Sequence, residues 1–190
     1  MRRSSGPAAS ASATLPAACE ASNQRPRPTT AASDGSVGVF SIPASGGAVT
    51  TIASGAPFVD PSGITVSADG GTLFVVDTRA AGSGRAQVIK VVGGVATVFL
   101  AAASVGYPAG VALVQDGSAL LVSGLDPTSG TDAVWRYDAT AATAPAGTPF
   151  TKGISGFSEP AGLHRAKNGD SYAWADSVAN GTGTVFVLSK

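Results

Sequence analysis

Short apolar runs alternate with turn residues along most of this chain, and the alternation keeps a long register. The segments "DPSGITVSADGGTLFVVD" (60–77), "YPAGVALVQDGSALLVSG" (107–124) and "EPAGLHRAKNGDSYAWAD" (159–176) align without a gap. With Pro61, Pro108 and Pro160 as origins, glycine follows two residues on (Gly63, Gly110, Gly162), and an apolar residue comes next (Ile64, Val111, Leu163). Asp69, Asp116 and Asn168 lie eight on, each followed by glycine; Leu73, Leu120 and Tyr172 lie twelve on, each near the start of a second apolar run.

Each unit holds the parts of a four-stranded antiparallel sheet. A first strand ("GITVSA", "GVALVQ", "GLHRAK") leads into an Asp-Gly or Asn-Gly pair, a strong hairpin signal because such pairs accept left-handed dihedrals. The second strand is "TLFVVD", "ALLVSG" or "SYAWAD", and the third is "AQVIKVV", "DAVWRYD" or "GTVFVLS". A fourth reads "ATVFLA" and, more faintly, "TPFTK". These strands are apolar on both faces, as expected of sheets covered on each side by a neighbour. The origins are 47 and 52 residues apart, a period that indicates a propeller or a solenoid. Upstream, "SVGVFSIP" and "AVTTIAS" resemble a third and a fourth strand with no first or second before them.

Composition narrows the class. Hydrophobic residues make up 44% and charged residues only 13%, which argues against a disordered chain, and the recurrence of 25 glycines breaks any long helical stripe. An all-β fold is expected. Residues 1–34 carry a net +2, through Arg2, Arg3, Arg25 and Arg27, and the remainder −2. The basic residues are scattered rather than clustered, so no nucleic-acid partner is expected. The single cysteine, Cys19, rules out an intrachain disulfide, and no run is long enough to span a bilayer. The opening "MRRSSGPAASASATLPAAC" has a basic start, small residues and Leu15-Pro16-Ala17-Ala18-Cys19. It reads either as a degraded lipoprotein-type signal with Cys19 as the lipidation candidate, or as a disordered leader. A secreted, periplasmic or envelope-attached protein follows from the first reading.

The pattern P-x-G-[apolar]-x-[apolar]-x-x-[Asp/Asn]-Gly, with Asp77-Thr78 and Asp176-Ser177 closing second strands, resembles NHL-type repeats over residues 35–190. NHL repeats and the related gluconolactonase/regucalcin superfamily build six-bladed β-propellers, so the resemblance implies an incomplete propeller, about half of such a ring. The expected organisation is a leader (1–34), outer strands of a first blade (35–56), a second blade (57–104), a third (105–156) and inner strands of a fourth (157–190). The missing strands are expected either from a longer parent chain or from self-association through open blade edges. Function divides the same way. The first expectation is a binding or scaffold module for a protein or small-molecule ligand. The other is a metal-assisted lactonase, hydrolase or lyase whose site is completed beyond Lys190 or by a second copy.

Candidate chemistry gathers before the repeat prolines. Asp60, Tyr107 and Glu159 are expected at one channel mouth, where two carboxylates and a phenol suit a hydroxylated ligand or a divalent cation such as Ca²⁺. Glu159 and Asp60 are the metal candidates; equally, residues in that place cap turns. The gluconolactonase resemblance implies ligands in the middle of the P-x-G motif, but Ser62, Ala109 and Ala161 stand there. His164, the only histidine, occupies the inner-strand place of Thr65 and Ala112, beside Arg165. It is the catalytic candidate, able with Arg165 to act on an anion, or else a solvated residue. Asp77 and Asp176 suit Asx turns, and Asp126–Asp132 reads as a surface hairpin loop.

Overall fold

Residues 18–21, 37–144, 146–151, 160–176 and 179–189 are described by the computed structural model. They form four antiparallel sheets that follow one another in chain order. The first contains β1 (Ala18–Ala21), β2 (Gly38–Ile42) and β3 (Thr50–Ser54). The second contains β4 (Pro61–Val66), β5 (Thr72–Asp77), β6 (Gln87–Val92) and β7 (Val95–Leu100). The third holds β8 (Gly106–Leu113), β9 (Ala119–Leu125), β10 (Asp132–Asp138) and β11 (Thr148–Pro149), and the fourth β12 (Pro160–Arg165), β13 (Ser171–Asp176) and β14 (Thr184–Ser189). A single turn of 3-10 helix (Ala179–Gly181) precedes β14. Each sheet is ordered as in the chain, and β4, β8 and β12 lie side by side as inner strands. This is a partial β-propeller.

Alternation along each strand divides its side chains between two cores. In β5, Leu73 and Val75 pack toward the first blade with Val39, Ile89 and Val91, while Phe74 and Val76 pack toward the third with Val88, Phe99 and Val111. In β9, Leu120 and Val122 join that second core, and Leu121 joins Val134, Leu163, Tyr172 and Trp174 in a third. Period-two geometry sends neighbours to opposite faces, so a strand apolar at every position serves two seams at once.

Two of the repeat glycines, Gly63 and Gly110, sit where one inner strand approaches the next. A Cβ on Gly110 would collide with the Leu163 amide nitrogen and lie 2.9 Å from Ser123 Oγ. Gly63 likewise faces Val76 Cγ1 at 3.1 Å and the Gly110 Cα at 3.8 Å. Side chains then lock the approach. Ser62 Oγ donates to the Ala109 carbonyl (3.3 Å), and Thr65 Oγ1 accepts the Leu113 amide (3.2 Å). Arg165 Nε donates to the Leu113 carbonyl at 2.9 Å. Leu113 is thus bound from blades on both sides.

The structure departs from the sequence reading in three places. The segment set aside as a leader contributes Ala18–Ala21, which pairs antiparallel with β2. It lies against β4 as β5 lies against β8 and β9 against β12, which is the place of a second strand. The open backbone edge of β2 accepts any short extended segment, whatever its side chains. The "TPFTK" strand shrinks to Thr148–Pro149: proline has no N–H for the ladder, and the Val134 amide is taken instead by Thr151 Oγ1 at 2.9 Å. Asp69-Gly70 lies within a longer turn closed by Gly70 N to Ser67 O (2.9 Å); only Gly70 is left-handed, at φ 74°.

Asp77 fixes the blade entry. Its carboxylate is fully buried. Oδ2 accepts the amides of Val59 (2.7 Å) and Asp60 (2.8 Å), and Oδ1 those of Arg79 (3.0 Å) and Ala80 (2.8 Å). Asp176 caps the equivalent turn through the Ala179 amide at 2.8 Å. Gly124 replaces them because a side chain there would strike the Gly106 carbonyl and approach Pro108 O to 2.9 Å.

Two substitutions test this framework in urea unfolding. Gly110→Ala is expected to cost about 2 kcal/mol or more, because the contact is with backbone that cannot rotate away. Asp77→Asn is expected to cost about 3 kcal/mol, since a carboxamide turns its own N–H donors against two of the four amides.

Candidate functional site

An open cleft of about 780 Å³ runs from the seam of the first two blades across the second halves of the inner strands. Ser41, Ile52, Ile64 and Leu73 form its first wall, and the β4–β5 turn (Ser67, Ala68, Asp69, Gly70) overhangs it. Thr65, Val111 and Ala112 floor it, and Leu163, His164, Arg165 and Lys167 close it. One side is therefore acidic and hydroxylated and the other basic, over an apolar floor.

The charged groups differ in their freedom. The Arg165 guanidinium is committed to carbonyl oxygens: Leu113 through Nε, and Ala166 (2.8 Å), Gly169 (3.2 Å) and Lys167 (3.5 Å) through one terminal nitrogen. It clasps the β12–β13 turn to the third blade. Asp69 sits on the exposed rim, held below the usual carboxylate range first by the Ser67 hydroxyl and then by the Gly71 amide (3.0 Å). His164 and Lys167 are exposed. His164 pairs in register with Ala173 as Thr65 pairs with Phe74, so the imidazole stands where Thr65 receives the next blade's amide.

The residues singled out from the sequence are not gathered in this cleft, His164 and Arg165 apart. Asp60 and Tyr107 precede the first and second repeat prolines, at the opposite ends of the inner strands from the cleft residues. Asp60 Oδ2 accepts the Thr78 hydroxyl at 3.4 Å, and Tyr107 is 58% exposed. Glu159 lies outside the described residues. Cys19 falls in β1, opposite Ser41 in register. Among the described residues no three His, Cys, Asp or Glu side chains lie together as a metal site. In the loop 126–132, Asp126 Oδ1 accepts the Thr128 amide (2.8 Å), and Arg85 reaches Thr128 Oγ1 from the second blade (3.0 Å).

Sequence reasoning missed a second, smaller pocket of about 270 Å³ in the seam of the third and fourth blades. Asp116, Ser118, Arg136, Phe150, Asp170 and Tyr172 line it. Tyr172 OH donates to Asp170 Oδ1 at 2.7 Å, and the Gln115 amide reaches the same oxygen at 2.9 Å. Burial, reinforced by that carboxylate, pushes the Tyr172 hydroxyl above the usual tyrosine range. The only sequence signal was Tyr172 standing where the other repeats have leucine.

Comparison with known proteins bears on the fold alone. No family model matches the chain, and no curated protein matches it. Among solved structures it is similar to TolB from Acinetobacter baumannii, at 15% identity and a TM-score of 0.57, over 80% of this chain and 35% of that one. It is also similar to a structure assigned as TolB from Agrobacterium tumefaciens, at 15% identity and a TM-score of 0.54, over 83% of this chain and 59% of that one. The chain thus spans roughly a third and three-fifths of these two structures.

The cleft electrostatics yield a titration test. A carboxylate with a lowered folded pKa stabilises above its unfolded value and loses that contribution as pH falls through the folded one. Asp69 should titrate below an ordinary aspartate by NMR, and Ser67→Ala should move it upward toward the ordinary value.

Proposed function

We propose that this propeller arc is a recognition or scaffold module of the cell envelope or exterior, built on NHL-like repeats and binding its ligand in the cleft across β4, β8 and β12. The observation that carries this reading is how the inner-strand polar groups are used. Ser62, Thr65 and Arg165 each bond to a neighbouring blade's backbone. Such bonds make the cleft floor rigid, and a rigid, preformed surface binds with little ordering cost. The exposed rim then supplies selectivity through Asp69 on one side and Lys167 on the other, over apolar Val111 and Ala112. The basic, small-residue N-terminal segment ending at Cys19 supports an envelope or exterior location.

A photo-crosslinking residue placed at Lys167 tests the reading in the producing cell. The expected result is a discrete crosslinked species that disappears with Ala68→Trp, which fills the cleft from an exposed turn position without disturbing the core. A crosslinker at Thr97, on an outer strand, should not give that species. Equal capture from both positions would overturn the proposal. So would chelator-sensitive turnover of a lactone that is lost in His164→Ala.

A further inference from the structure

The pocket of about 270 Å³ in the seam of the third and fourth blades shares no lining residue with the inner-strand cleft. Substitutions within the two facing sheets distinguish it from the seam one blade earlier. Leu121 stands in the register place of Phe74, and Leu188 in that of Tyr137. Both of those rings belong to the core between the second and third blades, so smaller side chains at their positions leave space. Polar groups enter at the same step. Tyr172 takes the place of Leu120, and Asp170 that of Ser118.

We infer that this pocket binds a small organic cation, an ammonium group carrying a compact apolar or aromatic body. The seam one blade earlier already seats a cation at the equivalent place. There the Lys90 ammonium lies 5.4 Å from the Phe74 ring centre and 5.7 Å from that of Phe99. Phe150 is the counterpart of Phe99, each lying beside the same third-strand position, Val134 or Val88. Arg136 replaces Lys90, and its charge also acts on Asp138, two residues along the strand. The Tyr172 ring comes from the opposite blade and meets Phe150 edge-on, with centres 6.3 Å apart and planes at 83°. Aromatic faces attract a cation most where water is excluded. Two carboxylates, Asp116 and Asp170, stand in the lining against the one guanidinium of Arg136. Both are held in place: Asp116 Oδ1 accepts the Ser118 amide at 2.9 Å, and Asp170 Oδ1 accepts the Tyr172 hydroxyl and the Gln115 amide. A carboxylate accepts at about four positions, so these bonds orient it without cancelling its charge. The Tyr172 hydroxyl registers the field. Burial first and Asp170 next hold its proton on, Arg165 offsets part of this, and Asp116 adds to it. An anion would be repelled by that field, and a neutral ligand would gain nothing from it. Ligand sites commonly span about 300–1,000 Å³, so this volume limits the body to roughly one ring.

Isothermal titration calorimetry of the full chain at neutral pH provides the test, with 2-phenylethylamine as the cation and 2-phenylethanol as its neutral counterpart. The amine is expected to bind with a Kd below about 1 mM, and the alcohol at least about tenfold more weakly. Asp116→Asn keeps an acceptor for the Ser118 amide in an exposed turn while removing the charge, and should weaken the amine about tenfold. Arg136→Gln removes the opposing cation and should tighten it about threefold. Absence of saturable binding of the amine up to about 10 mM overturns the inference. So does equal affinity for the alcohol, or an Asp116→Asn variant that binds the amine as the wild type does. Loss of amine binding in Ala68→Trp overturns it as well, because that substitution fills the inner-strand cleft and leaves the seam untouched.

Discussion

The structure depends on one constraint: a blade has no interior of its own and can bury a face only against a neighbouring sheet. A single antiparallel sheet can shelter side chains only against another layer. Here the two sets of alternating residues on each central strand go to different layers, as Phe74 and Val75 do on adjacent positions of β5. Stability is therefore held in the seams rather than within the sheets. The second and third blades, covered on both sides, contain the most completely buried strands, with Val75, Val76, Leu120, Leu121 and Val122 all at 0% exposure.

Seams of this kind need the inner strands to converge, and convergence brings backbone against backbone. Polar groups left facing a neighbour at that distance must be satisfied or they cost free energy. Ser62, Thr65 and Arg165 meet that demand, and Asp77 meets it at the blade entry with four amides on one carboxylate. Residues that look reactive in a sequence are consumed here by geometry. Arg165 is the clearest instance: a guanidinium beside a histidine suggests anion chemistry, yet its Nε and one terminal nitrogen are spent on carbonyl oxygens.

The architecture was legible because its signals are local and repeated. Proline, glycine two residues on and a polar-glycine turn recur at one spacing, and the apolar runs between them fall on strands. What stayed hidden depends on contacts distant in sequence. Nothing in "ACEA" marks it as a strand, since its pairing comes from the open edge of β2. The burial of Asp77 follows from the path of residues 59–60 and 79–80 around it, whereas an Asx turn would engage only the latter pair. The choice of channel mouth was also beyond sequence reasoning. Residues before the repeat prolines stand out by their polarity, but the cleft forms at the other end of the same strands, where Ser67 and Lys167 read as strand residues and Asp69 as part of a turn.

The fourth blade shows how the same repeat changes role by substitution at a few register positions. In the second blade, Lys90 lies 5.4 Å from the Phe74 ring centre and 5.7 Å from that of Phe99, so a cation is accommodated over aromatic faces at the seam. The fourth blade has Ala173 where Phe74 stands and Val187 where Lys90 stands, removing the ring and the cation together. Loss of either alone would leave a lysine without its aromatic platform or an aromatic ring open to water. Their joint replacement by small and branched aliphatic residues leaves Val187 and its strand neighbour Val185 each 68% exposed. On its other face the blade keeps Trp174 stacked on Phe186, with ring centres 5.8 Å apart, and retains the large side chains a seam requires. The two faces of one sheet thus meet different demands, and the difference lies in side-chain size and charge at alternate positions rather than in any change of backbone.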